Sequence, residues 1–307
     1  MSEVYIKTLE ILRSQNMPIP EEDFCKLLNT DKKELRKVAK ELDDEGYDIK
    51  NVLCGGKTSY ILVRKGSSSP NQHYNFLGNI KTPFLICSDY HFGSYSFSEQ
   101  GFKILMKDIE EYGIRDVIAP GDLLQSKNVH RREASDLKYF NLDEQIDGFL
   151  KKIENELPSK TKLHTTLGNH EESVLGSLNI GLNILKRMAG MSPNIIYYGG
   201  VAKLKLDNEF QLLMLHGSGG GSYADSYRIQ KIYDTLLEKP DIFVMGHLHL
   251  MDVISKPPNK HLIYAGTLQR ENLFLINKGI TTQVGWYIIE EYNGEKDKII
   301  PHRPKVF

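Results

Sequence analysis

Five short segments of the sequence carry side chains of the kinds that bind metal ions, and each follows directly on a stretch predicted to be a β-strand. The segments read SDYH, PGD, LGNHE, LHG and MGHLH, and they hold five of the ten histidines of the chain. In open α/β sheets the carboxyl ends of the strands meet in one crevice, so the segments are expected to converge on a single site. Packing alone does not explain such a concentration of imidazole, carboxylate and amide groups, which indicates a metal site. The candidate residues are Asp89, His91, Asp122, Asn169, His170, His216, His247 and His249.

A site of this composition suits the hydrolysis of phosphate esters. That reaction needs a water nucleophile and a way to neutralise charge on the phosphoryl oxygens. Two divalent ions about 3.5–4 Å apart provide both, with a hydroxide held between them as the nucleophile. Because two such cations repel each other, an anionic ligand is expected to bridge them. Mixed imidazole and carboxylate ligands suit manganese, iron or zinc. We therefore expect two divalent metal ions as cofactors, with manganese as the favoured metal.

The order of these segments, D-x-H, GD, GNH, H and GH-x-H, resembles the calcineurin-like metallophosphoesterase superfamily over about Phe84 to Gly266. The resemblance implies a dinuclear metal centre whose ligands form two sets that share one bridging aspartate. The first set is Asp89, His91 and His249, the second is Asn169, His216 and His247, and the bridge is Asp122. The resemblance also implies that His170 is not a ligand and instead protonates the leaving oxygen as a general acid.

The residues that follow Asp122 bear on the substrate. Phosphoprotein phosphatases of this superfamily continue the GD segment with an aspartate and an arginine, whereas this chain continues with Leu-Leu-Gln-Ser. Gly121–Leu124 is similar instead to the phosphodiesterase and DNA-repair-exonuclease branches. The sequence therefore favours a phosphodiester hydrolase that acts on nucleic acid. Two alternatives stay open: a phosphoesterase for a small nucleotide or another small phosphate ester, and a non-catalytic DNA-binding protein with a relic phosphoesterase fold.

A basic segment, Lys127–Arg132, comes shortly after Asp122. Guanidinium groups form paired hydrogen bonds with phosphate, so this segment is a candidate for contact with the substrate. Its candidate substrate-binding residues are His130, Arg131 and Arg132. A solvated basic loop explains the same residues nearly as well.

Short apolar stretches alternate with amphipathic ones over residues 81–307. This alternation predicts an α/β domain, and the resemblance implies that it is a four-layer αββα sandwich. Residues 66–80, rich in Gly, Ser, Pro and Asn, are predicted to be a linker. The predicted strands are Pro83–Cys87, Asp116–Ala119, Leu163–Leu167, Ile195–Tyr198, Phe210–Leu215, Asp241–Met245 and His261–Tyr264. The predicted helices are Phe97–Tyr112, Asp143–Glu156, Val174–Met188 and Ser226–Glu238.

Residues 1–65 carry three helical patterns and then a hairpin signal at two adjacent glycines, an arrangement that resembles a winged helix-turn-helix domain. The third pattern opens with Asp31 and Glu34, close to a capping-box spacing. Its basic residues face away from its apolar stripe, as they would on a DNA-reading helix. These candidate nucleic-acid contacts are Lys33, Arg36, Lys37 and Lys40. A plain packing or protein-binding module remains an alternative, because the acidic residues Asp43–Glu45 follow at once.

Composition sets the remaining limits. The formal net charge of −1 gives no overall attraction to polyanions, so any binding of nucleic acid must come from local patches. Three cysteines without a C-x-x-C pair argue against a disulfide framework or a zinc ribbon and fit a reducing compartment. No apolar run approaches the roughly 20 residues of a membrane helix, and the first residues do not form a signal-peptide pattern. We expect a cytoplasmic protein with no membrane partner.

Overall fold

The chain divides into two compact units, Met1–Ser69 and Pro70–Phe307. The division falls within the segment predicted to be the linker. The structure is a computed structural model, and it describes residues 3–14, 19–44, 49–54, 57–62, 74–126, 136–178, 181–218, 224–277 and 279–306.

The first unit combines three helices with a small antiparallel sheet whose strand order is β1-β3-β2. The backbone N–H of Glu34 donates to the side chain of Asp31 at 2.8 Å, as the predicted capping spacing requires. The apolar faces of the helices meet the sheet in one core that includes Phe24, Leu35 and Tyr60. The elements are α1 (Glu3–Ser14), β1 (Ile19–Pro20), α2 (Glu21–Leu28), α3 (Lys32–Asp44), β2 (Ile49–Cys54) and β3 (Lys57–Leu62).

The second unit is built on two six-stranded mixed sheets. Sheet one has the strand order β12-β13-β11-β10-β9-β4, and sheet two has the order β15-β14-β5-β6-β7-β8. Sheet one contains β4 (Phe76–Ile80), β9 (Val201–Leu206), β10 (Gln211–Leu215), β11 (Ile242–Met245), β12 (Met251–Lys256) and β13 (Lys260–Ala265). Sheet two contains β5 (Phe84–Ile86), β6 (Asp116–Ala119), β7 (Lys162–Thr165), β8 (Ile195–Tyr197), β14 (Trp286–Glu291) and β15 (Lys298–His302).

Three apolar cores arrange these elements in four layers. Side chains of α4, α5 and α7 pack against one face of sheet two, and the other face of sheet two packs against sheet one through Phe84, Ile118 and Met214. Ile229 and Tyr233 of α8 cover the outer face of sheet one. The order is thus helices, sheet, sheet, helix, an α/β sandwich of the kind the resemblance implied. The helices are α4 (Glu99–Glu111), α5 (Leu142–Glu156), α6 (Asn169–Leu178), α7 (Gly181–Met191), α8 (Tyr227–Thr235) and α9 (Leu273–Asn277).

Three differences from the sequence predictions concern individual elements. Phe76–Ile80, assigned to the linker, forms the edge strand β4 and pairs in parallel with β9. The single helix predicted at Val174–Met188 is replaced by the helices α6 and α7. Strands β9, β12, β14 and β15 had not been predicted. Within the described part of the chain, no helix has the length and apolar character needed to cross a membrane.

Candidate metal centre

Each of the five segments lies directly after a parallel strand. β5, β6 and β7 are parallel neighbours in sheet two, and β10 and β11 are parallel neighbours in sheet one. Asp89 and His91 follow β5, Asp122 follows β6, Asn169 and His170 open α6 after β7, His216 follows β10, and His247 and His249 follow β11. The carboxyl ends of both groups of strands therefore meet at one edge of the sandwich, as expected for open α/β sheets.

The backbone at these positions takes an uncommon conformation. Five of the seven predicted ligands have positive φ angles, a region in which non-glycine residues are rare and which costs about 1–3 kcal/mol each. These are Asp89 (50°), His91 (51°), Asp122 (51°), His247 (73°) and His249 (55°). Strain of this kind clusters at functional sites, where the surrounding structure holds side chains in place.

The ligand atoms gather into three overlapping groups, in each of which all atoms lie within 4.8 Å of one another. The groups are Asp89, His91 and His249; Asp122, His216 and His247; and His91, Asp122 and His170. The first group has the same members as the first ligand set implied by the resemblance. The second group joins Asp122, the predicted bridge, to His216 and His247 of the second set. The third group contains His170, which was predicted not to be a ligand. Its ring nitrogen is therefore close enough to His91 and Asp122 to share a metal ion with them.

The first group is buried and compact. Nε2 of His91 lies 3.0 Å from Nε2 of His249, and Oδ1 of Asp89 lies 3.4 Å from Nε2 of His249. The two ring nitrogens thus face each other beside a carboxylate. Imidazoles that bind one cation are arranged in this way, with their lone pairs directed to the same point. Nδ1 of His249 is buried with no hydrogen-bond partner in the described structure.

The second group includes the predicted amide ligand. Oδ1 of Asn169 lies 2.9 Å from Nε2 of His216 and 2.7 Å from Nδ1 of His247. Oδ2 of Asp122 is 3.0 Å from the same His216 nitrogen. An amide oxygen, two imidazoles and a carboxylate thus converge, and this mixture of oxygen and nitrogen donors suits manganese, iron or zinc.

Asp122 lies between the two groups. Its Oδ2 is 3.0 Å from Nε2 of His216 in one group and 3.8 Å from Nε2 of His91 in the other. Its Oδ1 accepts a hydrogen bond from the backbone N–H of His170 at 2.8 Å. The carboxylate therefore approaches a ring nitrogen of each group.

The electrostatics of the cluster favour a bound cation. Burial lowers the pKa of His216, but the carboxylates of Asp122 and Asp89 outweigh burial and raise that pKa to about 10. Burial raises the pKa of Asp122, but His216 and His170 hold it well below its usual range. Burial, with His170 and His249 nearby, keeps the pKa of His91 well below its ordinary value. Without metal, the site thus combines ionised carboxylates, a neutral His91 ring and a protonated His216 ring. A metal ion would bind to the first two forms directly and would displace the proton from the third.

Hydrogen bonds from the far side of two imidazole rings orient them. Nδ1–H of His216 donates to the carbonyl of Pro120 at 2.6 Å, and Nδ1–H of His91 donates to the side-chain oxygen of Gln125 at 2.9 Å. Each bond places a proton on Nδ1 and points Nε2 into the cluster. In His216 a second proton, held on Nε2 by Asp122 and Asp89, has to leave before that nitrogen can bind a metal. Metal-binding histidines almost always have such a partner, so the residues present fit a metal centre.

Glu171 supports the centre, and the sequence analysis gave it no role. Its buried carboxylate accepts from the backbone N–H groups of Asp122 at 3.1 Å, Leu124 at 3.0 Å and Gly168 at 3.2 Å. Burial and the nearby Asp122 raise the pKa of Glu171 to about 7. The only sequence signal was its place in the LGNHE segment. It ties the loop of Asp122 to the start of α6.

Gly168 permits the close approach of these two loops. A Cβ atom at this position would lie 2.1 Å from Oδ1 of Asp122 and 2.2 Å from its backbone nitrogen. Neither atom can move away, since one belongs to a bridging ligand and the other is main chain. Glycine is therefore required here by the packing of the Asp122 loop.

The other predicted contact residues fall into two sets. His130, Arg131 and Arg132 lie outside the described residues. Lys33, Arg36, Lys37 and Lys40 all lie on α3 of the first unit, and all four are exposed. Arg36 forms two hydrogen bonds with Glu21, at 2.7 and 3.1 Å, and Lys37 pairs with Glu41 at 3.7 Å. The basic face is thus present, but one guanidinium in it is held by an internal ion pair.

Taken together, the layered α/β fold and the two-part cluster of carboxylate, amide and imidazole ligands define the class of metal-dependent phosphoesterases. A family model described as calcineurin-like phosphoesterase matches residues 82–263. This match spans more than half of the chain, and the chain belongs to the calcineurin-like phosphoesterase family. No curated protein that was compared matches it.

Several solved structures are similar to the chain. Wild-type Vps29 from Entamoeba histolytica, complexed with zinc, has 12% identity and a TM-score of 0.36, over 71% of this chain and 98% of that one. Vps29 from Cryptosporidium parvum has 14% identity and a TM-score of 0.35, over 73% and 98%. A putative 5′-nucleotidase from Staphylococcus aureus, in complex with α-ketoglutarate, has 14% identity and a TM-score of 0.42, over 71% and 53%.

Proposed function

We propose that the chain is a dinuclear, manganese-dependent phosphodiesterase that acts on nucleic acid in the cytoplasm. The observation that carries the proposal is the pair of ligand groups that meet at one carboxylate, Asp122. Asp89, His91 and His249 would hold one ion, Asn169, His216 and His247 the other. When bound, two such ions supply the Lewis acidity that activates water and neutralises charge on the phosphoryl group.

His170 is the residue to which we assign proton transfer. Its Nδ1–H donates to the main-chain carbonyl of Gln125 at 2.6 Å, so the other ring nitrogen, Nε2, is the one turned toward the cluster. That nitrogen lies 4.0 Å from Oδ2 of Asp122. With Nδ1–H held by this bond, His170 would give a proton from Nε2 to the leaving oxygen.

The substrate assignment rests on two features. The segment Gly121–Leu124 resembles the DNA-repair-exonuclease and phosphodiesterase branches of the family. The first unit contains three helices and the antiparallel sheet β1-β3-β2; we propose that it is a winged-helix-type domain with α3 as its nucleic-acid contact. The exposed lysines Lys33, Lys37 and Lys40 provide positive charge there. In the second unit, the basic residues His130, Arg131 and Arg132 would bind substrate phosphates.

The test is an activity screen of the manganese-loaded protein. The substrates are linear duplex DNA, single-stranded DNA, RNA, a small chromogenic phosphodiester and a small phosphate monoester, each with and without a chelator. We expect hydrolysis of the diester and of at least one nucleic acid, abolished by the chelator. Full activity in the chelator would refute the metal mechanism. Turnover of small nucleotides alone would leave the metal mechanism standing and transfer the substrate assignment to a small-molecule phosphoesterase.

A further inference from the structure

One buried glutamine contacts both His91 and His170. The side chain of Gln125 accepts the Nδ1–H of His91 at 2.9 Å through Oε1. The same oxygen accepts from the amide nitrogen of Gln269 at 3.3 Å. Because the amide nitrogen of Gln269 donates to Oε1 of Gln125, this oxygen is an acceptor that faces His91, and the Nδ1 of His91 has to carry the proton between them. Nε2 of His91 therefore carries the lone pair.

The main chain of the same residue orients the second histidine. The carbonyl oxygen of Gln125 accepts the Nδ1–H of His170 at 2.6 Å. The rings of His91 and His170 stand almost perpendicular, with centroids 4.4 Å apart and an interplanar angle of 85°. The side chain of Gln125 therefore reaches a predicted metal ligand, and its main chain reaches the proton-transfer residue.

A second buried glutamine, Gln145 of α5, holds this main chain in place. Its Oε1 accepts from the backbone N–H of Ser126 at 2.8 Å, and its amide nitrogen donates to the carbonyls of Ser126 at 3.3 Å and Tyr139 at 2.8 Å. Ser126 has a φ of 55°, which is unfavourable for a residue with a side chain. The paired hydrogen bonds with Gln145 offset that cost and determine the direction of the preceding carbonyl.

The loop of His91 also packs on Gln145. A Cβ atom at Gly93 would lie 2.6 Å from Cδ of Gln145. Gln145 is completely buried and Gln125 is 2% exposed, so neither amide exchanges its partners for water. The Gln145 side chain thus stands between the loop that carries His91 and the loop that carries Asp122.

Glutamine, rather than a carboxylate, fits the charge of this centre. Asp89 and Asp122 already supply two negative charges, and Glu171 lies directly behind Asp122. A neutral amide accepts the hydrogen bond from His91 without a further charge to desolvate in a buried place. Partners of this kind behind metal-binding histidines typically change metal affinity 10–100-fold when they are lost.

We propose that Gln125 and Gln145 are positioning residues: the Gln125 side chain aligns His91 for the metal, and Gln145, through the main chain of residues 125–126, aligns His170 for proton transfer. This inference rests on the proposed function of the same site. Replacing one glutamine should therefore have a different effect from replacing the other. Neither glutamine is one of the predicted ligands.

The experiment compares Gln125→Met and Gln145→Met in the full-length protein. Mn²⁺ affinity is measured by calorimetry, the histidine ring nitrogens are observed by ¹⁵N NMR, and kcat is measured on a small chromogenic diester at saturating Mn²⁺. We expect Gln125→Met to weaken Mn²⁺ binding about 10–100-fold and to shift the His91 ring signals. We expect Gln145→Met to change Mn²⁺ affinity much less, to shift the His170 signals, and to lower kcat without a matching rise in KM.

Two further variants make the result specific. Gln125→Glu keeps the acceptor for His91, so its Mn²⁺ affinity is expected to fall less than that of Gln125→Met despite the added buried charge, which a role in packing alone would not require. Gln230→Met, on α8 of the opposite layer, is the control for the chemical change and is expected to match the wild type. If Gln125→Met fails to fold, Gln269→Met removes only the bond between the two amides and should weaken Mn²⁺ binding in the same direction.

Wild-type Mn²⁺ affinity and unshifted His91 signals in Gln125→Met would overturn the inference, as would equal effects of both substitutions on every readout. A wild-type protein that binds Mn²⁺ but hydrolyses no diester would instead contradict the proposed function. In that case Mn²⁺ affinity and the ring-nitrogen signals still decide the positioning roles, because neither depends on turnover.

Discussion

The ligand residues of the metal centre combine backbone strain with burial. Asp89, His91 and Asp122 all have φ angles near 50° and are almost fully buried. Folding thus holds carboxylates and imidazoles close together, although this costs free energy in backbone strain and in desolvation. The side chains are already in position when a cation binds. Because an ion that binds only the folded state stabilises it, metal binding should recover part of the cost.

Asp122→Asn should abolish metal binding and hydrolysis together. The substitution keeps the size of the side chain but removes the negative charge that lies between the two ligand groups, so two cations would repel each other without compensation. We expect fewer than two Mn²⁺ ions per chain and loss of diester hydrolysis, measured by metal analysis and by a chromogenic assay. Asp147→Asn, an exposed position on α5, is the matched control. Two bound ions in Asp122→Asn would contradict the bridging role.

His170→Gln should separate proton transfer from ligation. If His170 is a general acid, its loss leaves both ligand sets complete, so both Mn²⁺ ions should remain while kcat falls about 10²–10⁴-fold. Metal analysis and kinetics on the same preparation provide the measurement. His170 also belongs to a group of possible ligands with His91 and Asp122. The loss of an ion in this variant would therefore identify His170 as a ligand instead.

At the scale of elements, burial accounts for some of the strands that were predicted and missed, although the largely buried β14 was missed as well. β6 and β11 are almost entirely buried, so they appear as continuous apolar runs and were predicted with bounds within one residue. The edge strands β4, β12 and β15 alternate irregularly between exposed and half-buried positions. Polar residues at an edge erase the periodicity on which prediction depends. β9, VAKLKL, was missed for a related reason, since Lys203 and Lys205 interrupt its apolar pattern.

The candidate ligands could be found in the sequence because each needs only a residue type and a place after a strand, and the structure brings their side chains together. That they bind metal stays a prediction. The supports behind them could not be predicted in this way. Glu171 accepts hydrogen bonds from three backbone N–H groups on two loops. Gln145, on α5, accepts a hydrogen bond from the backbone N–H of Ser126. Such contacts depend on loop conformations that are set by tertiary packing. Residue type and spacing therefore do not predict these contacts.

The pairing of α2 with α3 leads to a prediction about pH. The hydrogen bonds from Arg36 lower the pKa of Glu21, although burial opposes this shift. A carboxyl group whose folded pKa is lowered stabilises the fold above its unfolded pKa of about 4.3 and loses that contribution as pH falls through the folded value. We therefore expect the first unit to be more stable than its Glu21→Gln variant at pH 7, and the two to converge on acidification.

Scanning calorimetry at several pH values measures this effect. The chain's single tryptophan, Trp286, lies in the second unit, so its fluorescence follows that unit and serves as the internal control. The fluorescence midpoint should be the same in the wild type and in Glu21→Gln at every pH. A stability difference between the two proteins that persists unchanged well below pH 4 would show that the ion pair does not stabilise the first unit.

For the whole molecule, the net charge of −1 means that attraction to nucleic acid has to come from a local surface. On α3, Arg36 is held by Glu21, and the exposed lysines Lys33, Lys37 and Lys40 remain as the charges best placed to meet phosphates. The proposed nucleic-acid role of the first unit therefore depends on these lysines more than on the arginine. The sequence alone indicated four candidate nucleic-acid contacts on this helix, and the pairing of Arg36 reduces them to the three lysines.

Replacing Lys33, Lys37 and Lys40 by alanine should weaken the binding of duplex DNA and reduce its dependence on salt. Each lysine–phosphate contact releases counterions, so the slope of log Kobs against log salt should become less negative by about 1 for each contact removed. Fluorescence anisotropy across 50–200 mM salt, in chelator to prevent hydrolysis, provides the measurement. The exposed side chains carry no packing, so the fold should be retained and Mn²⁺ stoichiometry should be normal.

A second triple variant, with alanine at Lys103, Lys107 and Lys151, gives the same change in net charge on exposed positions of α4 and α5. If overall charge were the cause, both variants would lose affinity alike. If α3 is the contact, only the first variant changes the salt slope, because counterion release depends on where the charges lie. Equal binding curves for the wild type and the α3 variant would exclude a DNA contact through this helix. The substrate would then have to be recognised by the second unit alone, which favours a small phosphate ester.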